Sequence, residues 1–137
     1  MSPVVQHDRT GCGVASVAAL SGKSYATVRR AAAKLGIAVT DARLWSGTRH
    51  IRRLLELFHL PAGKQATFKS WERLPDCALL AIKWHCERKG PAWHWVVFVR
   101  DASGAYVLDP KMALRTNRRT DFGRMKPRWF IRVRKMS

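Results

Sequence analysis

The order of apolar and polar positions divides the chain into a helical first half and a stranded second half. Residues 14–20, Val-Ala-Ser-Val-Ala-Ala-Leu, form a run of small apolar side chains opened by Gly11-Cys12-Gly13 and closed by Ser21-Gly22. Small side chains let neighbouring backbones approach closely, so this run predicts a central helix. A second helix is expected after Ser24, a residue type that caps helix starts. Tyr25, Val28, Ala32 and Leu35 recur at helical spacing, Arg29, Arg30 and Lys34 face away, and Gly36 ends the segment. A third helix is expected from residues 46–48 onward, with Ile51, Leu54, Leu55 and Phe58 as its buried face and Pro61 beyond its end.

After Gly63 the period changes. Residues 66–71 predict a short strand, 77–84 a buried strand and 93–100 a β-branched, aromatic one. Residues 85–90 read as a polar loop between the last two. Asp101-Ala102-Ser103-Gly104 is a turn signal, and residues 105–109 are the return strand. Trp129, Ile131 and Val133 alternate with Phe130, Arg132 and Arg134, the pattern of a half-exposed strand. Helices first and antiparallel strands afterwards predict an α+β fold.

The length, 137 residues, suits one domain, with 1–62 as a helical lobe and 63–137 as a sheet lobe ending in a basic segment. Apolar residues at 47% and charged residues at 26% fit a soluble globular chain and exclude intrinsic disorder. The longest apolar runs, 78–82 and 95–99, are too short to span a bilayer. The first residues lack a basic segment followed by an apolar run, so no signal peptide is expected. Three cysteines, Cys12, Cys77 and Cys86, do not make a disulfide framework, and a reducing cytoplasm is the expected compartment.

Charge adds a further constraint. Lys and Arg number 26 against 9 Asp and Glu, a net charge of +17. Such a balance predicts attraction to polyanions or to an acidic substrate or partner. Residues 111–137 hold ten basic residues and one acid, Asp121. Within them Arg115, Arg118 and Arg119 read as an exposed loop that could bind nucleic acid non-specifically. No zinc-finger spacing, RNP-type aromatic motif or glycine-rich phosphate loop is present.

The candidate chemistry centres on Cys12. It stands between two glycines at an expected helix start, where unpaired N–H groups and the positive dipole end favour a thiolate. The segment alone leaves two readings open: a nucleophile, or a small buried residue. The hairpin supports the first. If Arg100 faces Ala105, then Asp109 faces Val96, and His94 shares a sheet face with Val96. Asp109 then lies diagonal to His94, within side-chain reach. A carboxylate beside a histidine fixes its tautomer, as a Cys-His-Asp triad requires. Gln6, six residues before Cys12, could donate to an oxyanion together with the Cys12 N–H.

These residues resemble a family. Gln6-His7-Asp8-Arg9-Thr10-Gly11-Cys12-Gly13-Val14-Ala15 is similar to the Gln…Cys-Gly-x-Ala opening of papain-like cysteine peptidases, nearest to the double-glycine leader peptidases that process bacteriocin precursors. His94-Trp95-Val96-Val97-Phe98 and Tyr106-Val107-Leu108-Asp109-Pro110 resemble that family's His strand and Asp-Pro strand end. The resemblance implies a papain-like fold, with Cys12 as nucleophile, His94 as base, Asp109 orienting His94, and Gln6 serving the oxyanion hole. It implies a peptide or protein substrate and no cofactor. The same triad order also serves deamidases and acyltransferases.

Other readings compete. Cys77, His85, Cys86 and His94 are too widely spaced across strands for a zinc site. His50 and His59 read as helix-surface or helix-end residues, and the six tryptophans as mostly core, with Trp93 or Trp95 able to wall a cleft beside His94. The alternative from a different class is a non-enzymatic basic module that binds nucleic acid or an acidic protein on a degenerate papain-like fold.

Overall fold

The computed structural model describes residues 1–112 and 114–134. The basic segment expected over 111–137 is therefore described except for residues 113 and 135–137. The chain is α+β. Three helices come first, α1 (Cys12–Ser21), α2 (Tyr25–Lys34) and α3 (Arg49–Leu57). Six strands follow, β1 (Ala62–Thr67), β2 (Cys77–Glu87), β3 (Gly90–Asp101), β4 (Gly104–Leu108), β5 (Arg118–Arg119) and β6 (Pro127–Val133). All pairings are antiparallel, in the order β1-β6-β2-β3-β4-β5.

Helix α1 is buried along its whole length except Ser21. Its small side chains make this possible. A Cβ at Gly13 would stand 3.3 Å from Ile51 Cδ1 and 3.6 Å from Trp95 Cδ1, so glycine lets α1 lie close to both α3 and β3. Ser24 caps α2 by accepting from the Thr27 N–H at 3.1 Å, and Tyr25, Val28 and Ala32 are its buried residues. Helix α3 buries Ile51, Leu54 and Leu55 as the spacing predicts, and also His50. His50 is 7% exposed beside Asp41, so it is not the helix-surface residue the sequence suggested.

Alternation sorts the sheet into two faces. Leu79, Ala81, Trp95, Val97, Val99 and Ile131 join the helices in the main core. Leu80, Ile82, Val96, Phe98 and Val107 form a smaller cluster on the other face with Leu74 and Met125, covered by Phe68, Trp71 and Phe122. The polar loop expected at 85–90 is instead the end of a hairpin, because β2 continues to Glu87 and β3 starts at Gly90. The first strand occupies Ala62–Thr67 instead of 66–71, since its span is set by pairing with β6, from Ala62↔Val133 to Thr67↔Trp129. No helix among the described residues is long and apolar enough to cross a membrane.

One irregularity lies beside His94 on β3. Ile82 pairs with His94 and His85 with Ala92, so Lys83 and Trp84 together oppose Trp93. This is a β-bulge, with Lys83 in the left-handed region at φ 54°. The extra residue leaves Lys83 exposed and lets Trp84 pack against the main core.

Candidate active site

Cys12 is the first residue of α1, and its side chain is buried. The N-cap is Gly11, and no side chain caps this helix, unlike α2. The first-turn N–H groups and the positive end of the helix dipole are therefore directed at the cysteine without a competing side-chain acceptor. The loop leading to it is fastened in several ways. Gly11 N–H donates to Asp8 O at 3.0 Å, and the Asp8 carboxylate accepts from Tyr25 Oη at 2.6 Å and pairs with Arg29 Nε at 3.0 Å. A Cβ on Gly11 would collide with Tyr25 Oη. Gly11→Ala is thus expected to displace Tyr25 from Asp8 and lower stability by about 1–3 kcal/mol, read from the urea midpoint. An unchanged midpoint would show that the loop has slack here.

His94 lies on β3 and Asp109 immediately after β4. The register is the one the turn signal predicts: Arg100 pairs with Ala105 and Val97 with Leu108, which brings Asp109 level with Val96. The diagonal is close enough for a strong contact. His94 Nε2 lies 2.7 Å from Asp109 Oδ1, and the Asp109 side chain is fully buried. An ionised carboxylate only accepts, so Nε2 carries the proton and Nδ1 is left for the thiol. The same ring neighbours Cys12, which helps to raise its pKa. The structure thus brings Cys12, His94 and Asp109 together from a helix start, a strand and a strand end.

The residues on both sides of His94 are anchored to the turn Ala42–Leu44 and its next residue. Trp95 Nε1 donates to Leu44 O at 2.8 Å, and Trp93 N–H donates to Trp45 O at 3.1 Å. Trp95 is wholly buried, so it belongs to the core and not to a cleft wall.

Electrostatics follow the geometry. Burial by itself pushes the His94 pKa down. Hydrogen bonds with Asp109 and Cys12, and the charges of both, outweigh it and hold the ring at about 9. Burial likewise raises the Asp109 pKa, but the His94 hydrogen bond and charge, the Lys111 N–H and Arg119 together bring it to about 2. Near neutral pH the imidazole is a cation and the carboxylate an anion.

Gln6 is placed differently from the other three. Its side chain is buried, and Nε2 donates to Asp8 O and Arg9 O, both at 2.9 Å. Both amide hydrogens are therefore used within the loop before Cys12, and Oε1 is buried without a partner. Service to an oxyanion requires one of these bonds to be exchanged for the substrate oxygen. Gln6 also joins the two sides of the site, because its N–H donates to Pro110 O at 2.9 Å.

Arg119 was not legible as a site residue. It does not lie in an exposed loop: β5 pairs Val107 with Arg119 and Leu108 with Arg118, and the Arg119 side chain is 12% exposed. Its Nη1 donates to Asp109 Oδ2 at 2.8 Å. Arg118 is exposed but lies over the Tyr106 ring at 3.8 Å, and Arg115 is exposed. Among the described residues no group of three or more His, Cys, Asp or Glu side chains is arranged to hold a metal ion. A hollow of about 660 Å3 between α2 and α3, lined by residues such as Arg30, Leu35 and Phe58, contains none of the triad residues. No protein-family model matches the chain, and no curated protein sequence matches it.

Proposed function

We propose that the protein is a papain-like thiol hydrolase that cleaves a peptide or amide bond through Cys12, His94 and Asp109. The observation that carries this reading is a buried carboxylate hydrogen-bonded to an imidazole whose pKa a neighbouring cysteine helps to raise, with that cysteine at an uncapped helix start. A helix N-terminus and an imidazolium both stabilise sulfur as thiolate, the form that attacks.

In the proposed reaction the Cys12 sulfur attacks the carbonyl carbon, and the carbonyl π electrons move to oxygen. The Cys12 N–H donates to this oxyanion, and the Gln6 amide joins it if one loop bond is exchanged. His94 gives its proton to the leaving amine, the C–N bond breaks, and a thioester remains. Water then attacks the thioester with His94 as base, releasing the acid and restoring the thiolate–imidazolium pair. Asp109 keeps the ring oriented and the imidazolium stabilised throughout. A deamidase would run the same steps on a side-chain amide, and an acyltransferase would replace water by another nucleophile.

A peptidyl vinyl sulfone, which accepts a thiolate at carbon, tests the reading directly. One equivalent is expected to add to Cys12 in the wild type, located by mass spectrometry of the digested protein, and to fail to add in His94→Ala. Labelling spread over Cys86, which is exposed, would sink the reading. The surplus of positive charge supports an acidic substrate. For such a substrate, kcat/KM is expected to fall severalfold between low and physiological salt, because screening shortens the reach of attraction to about 8 Å. A flat salt profile would remove the acidic preference while leaving the chemistry.

A further inference from the structure

Strand β5 is two residues long, yet it surrounds the triad carboxylate. Asp109 N–H donates to Asn117 O at 2.8 Å, and Asn117 Nδ2 donates to Asp109 O at 2.7 Å and to Lys111 O at 3.0 Å. The carboxylate itself is divided between two sides. Oδ1 accepts from His94 Nε2 and from the Lys111 N–H at 3.0 Å, while Oδ2 accepts from Arg119 Nη1. Arg119 is in turn gripped by Asp121 through two parallel bonds, Nε to Oδ1 at 2.9 Å and Nη2 to Oδ2 at 2.7 Å. The result is a line of alternating charge, Asp121, Arg119, Asp109 and His94, that ends at Cys12.

We infer that Arg119 is a positioning residue of the triad: it fixes the Asp109 carboxylate with Oδ1 toward His94 and takes up part of its charge. This rests on the triad reading above. Three features set it apart from an ordinary surface ion pair. Asp109 is fully buried and Arg119 nearly so, so solvent screens the contact little. Arg presents a planar fork, and here one edge binds Asp121 while Nη1 reaches Asp109, a division that lysine does not reproduce. Finally, one carboxylate stands between two cations. With Arg119 present, Asp109 supports the imidazolium less than a lone carboxylate would, which keeps His94 able to release its proton to a leaving amine.

Among the described residues, the groups facing this line are few. His94 on β3, Arg119 on β5 and the Lys111 N–H face Asp109; Cys12 on α1 faces His94; Asp121 lies behind Arg119. Charge arithmetic then gives opposite signs for two variants. Arg119→Met leaves the whole Asp109 charge to His94 and raises the pH at which His94 loses its proton by roughly one unit. Asp121→Asn frees Arg119 to act on Asp109 and lowers that pH.

The test is an NMR titration of the His94 ring in the wild type, Arg119→Met, Arg119→Lys and Asp121→Asn, with iodoacetamide alkylation of Cys12 followed in parallel. The expected result is a rise for Arg119→Met, a smaller rise for Arg119→Lys, which keeps the charge but not the fork, and a fall for Asp121→Asn. A purely structural brace would change stability without these opposed shifts. Equal titration in all four proteins would overturn the inference. Should Arg119→Met not fold, Asp121→Asn decides, since Asp121 is 44% exposed in its side chain and its loss uncovers no buried charge other than Arg119. Wild-type Cys12 that alkylates no faster than Cys86 would instead defeat the triad reading, whichever way His94 titrates.

Discussion

His94→Ala is expected to abolish the selective alkylation of Cys12. If the proposed pair operates in the wild type, Cys12 should react with iodoacetamide faster than Cys86 even though Cys86 is exposed and Cys12 is buried. That inversion of accessibility and rate is the informative quantity, because an inert buried thiol reacts more slowly than an exposed one. Removing the imidazole should slow Cys12 by roughly 10²–10⁴-fold, the span that a positioned acid–base partner contributes. Turnover should fall by at least as much, since in the proposed reaction His94 also protonates the leaving group. Cys12→Ala should show no turnover at all while keeping its urea midpoint, as the small side chain suits a helix made of small residues. Alkylation of Cys12 at the Cys86 rate in both wild type and His94→Ala would show that no working pair exists.

The second large effect concerns stability. Asp109→Ala is expected to lower the unfolding free energy by about 3–5 kcal/mol, because it strands two largely buried cations, Arg119 and His94, that Asp109 now satisfies. Asp109→Asn keeps the shape and one acceptor, so its cost should be smaller, and its loss of activity smaller than that of His94→Ala. The pH dependence has a defined sign. His94 titrates at about 9 in the folded chain against an ordinary 6.5, so its contribution is complete below 6.5 and lost as pH rises through 9. Asp109 titrates at about 2 against 3.8, so its contribution is complete above 3.8 and lost as pH falls through 2. The two describe one contact and count once. Urea midpoints measured from pH 3 to pH 10 should therefore form a plateau between about pH 4 and 6.5 and decline on both sides. In Asp109→Asn both declines should flatten; a profile identical to wild type would mean that other groups govern the pH dependence.

The parts of the site legible in the sequence are those fixed by local chemistry. Asp101 to Gly104 closes the β3–β4 hairpin, and with the turn located the alternation of β-strands carries Asp109 to His94 without further information. Cys12 was legible because glycine flanks it and small residues follow, a pattern that means a helix start in a crowded place. Arg119 was not, for a physical reason. It sits in a basic run with no apolar period, and a solvated arginine and a buried one look alike until a partner is known. Asp121 is two residues away, but Asp109 is brought to Arg119 by the path of the chain between β4 and β5, which no local pattern encodes. The Gln6 amide shows the same limit: its position before Cys12 suggested a donor, but the carbonyls that occupy it become visible only once the loop is folded. The strand expected at 66–71 moved for a similar cause, as an edge strand takes its limits from the neighbour it pairs with.

The order of the sheet has a consequence for synthesis. Strand β6, the last in sequence, lies between β1 and β2, so β1 has no strand neighbour until β6 has been made. A growing chain can form the β2–β3–β4 hairpins early, together with α1 and its packing against β3. Throughout that time it carries one flank of β2 open and residues 62–67 unmatched. Sequence-distant pairings form slowly and leave strand edges available to other chains. A nascent polypeptide stopped before Pro127 therefore holds all of Cys12, His94, Asp109 and Arg119 and still lacks the strand that joins β1 to β2, so the residues of the candidate site are in place before the sheet around them is complete.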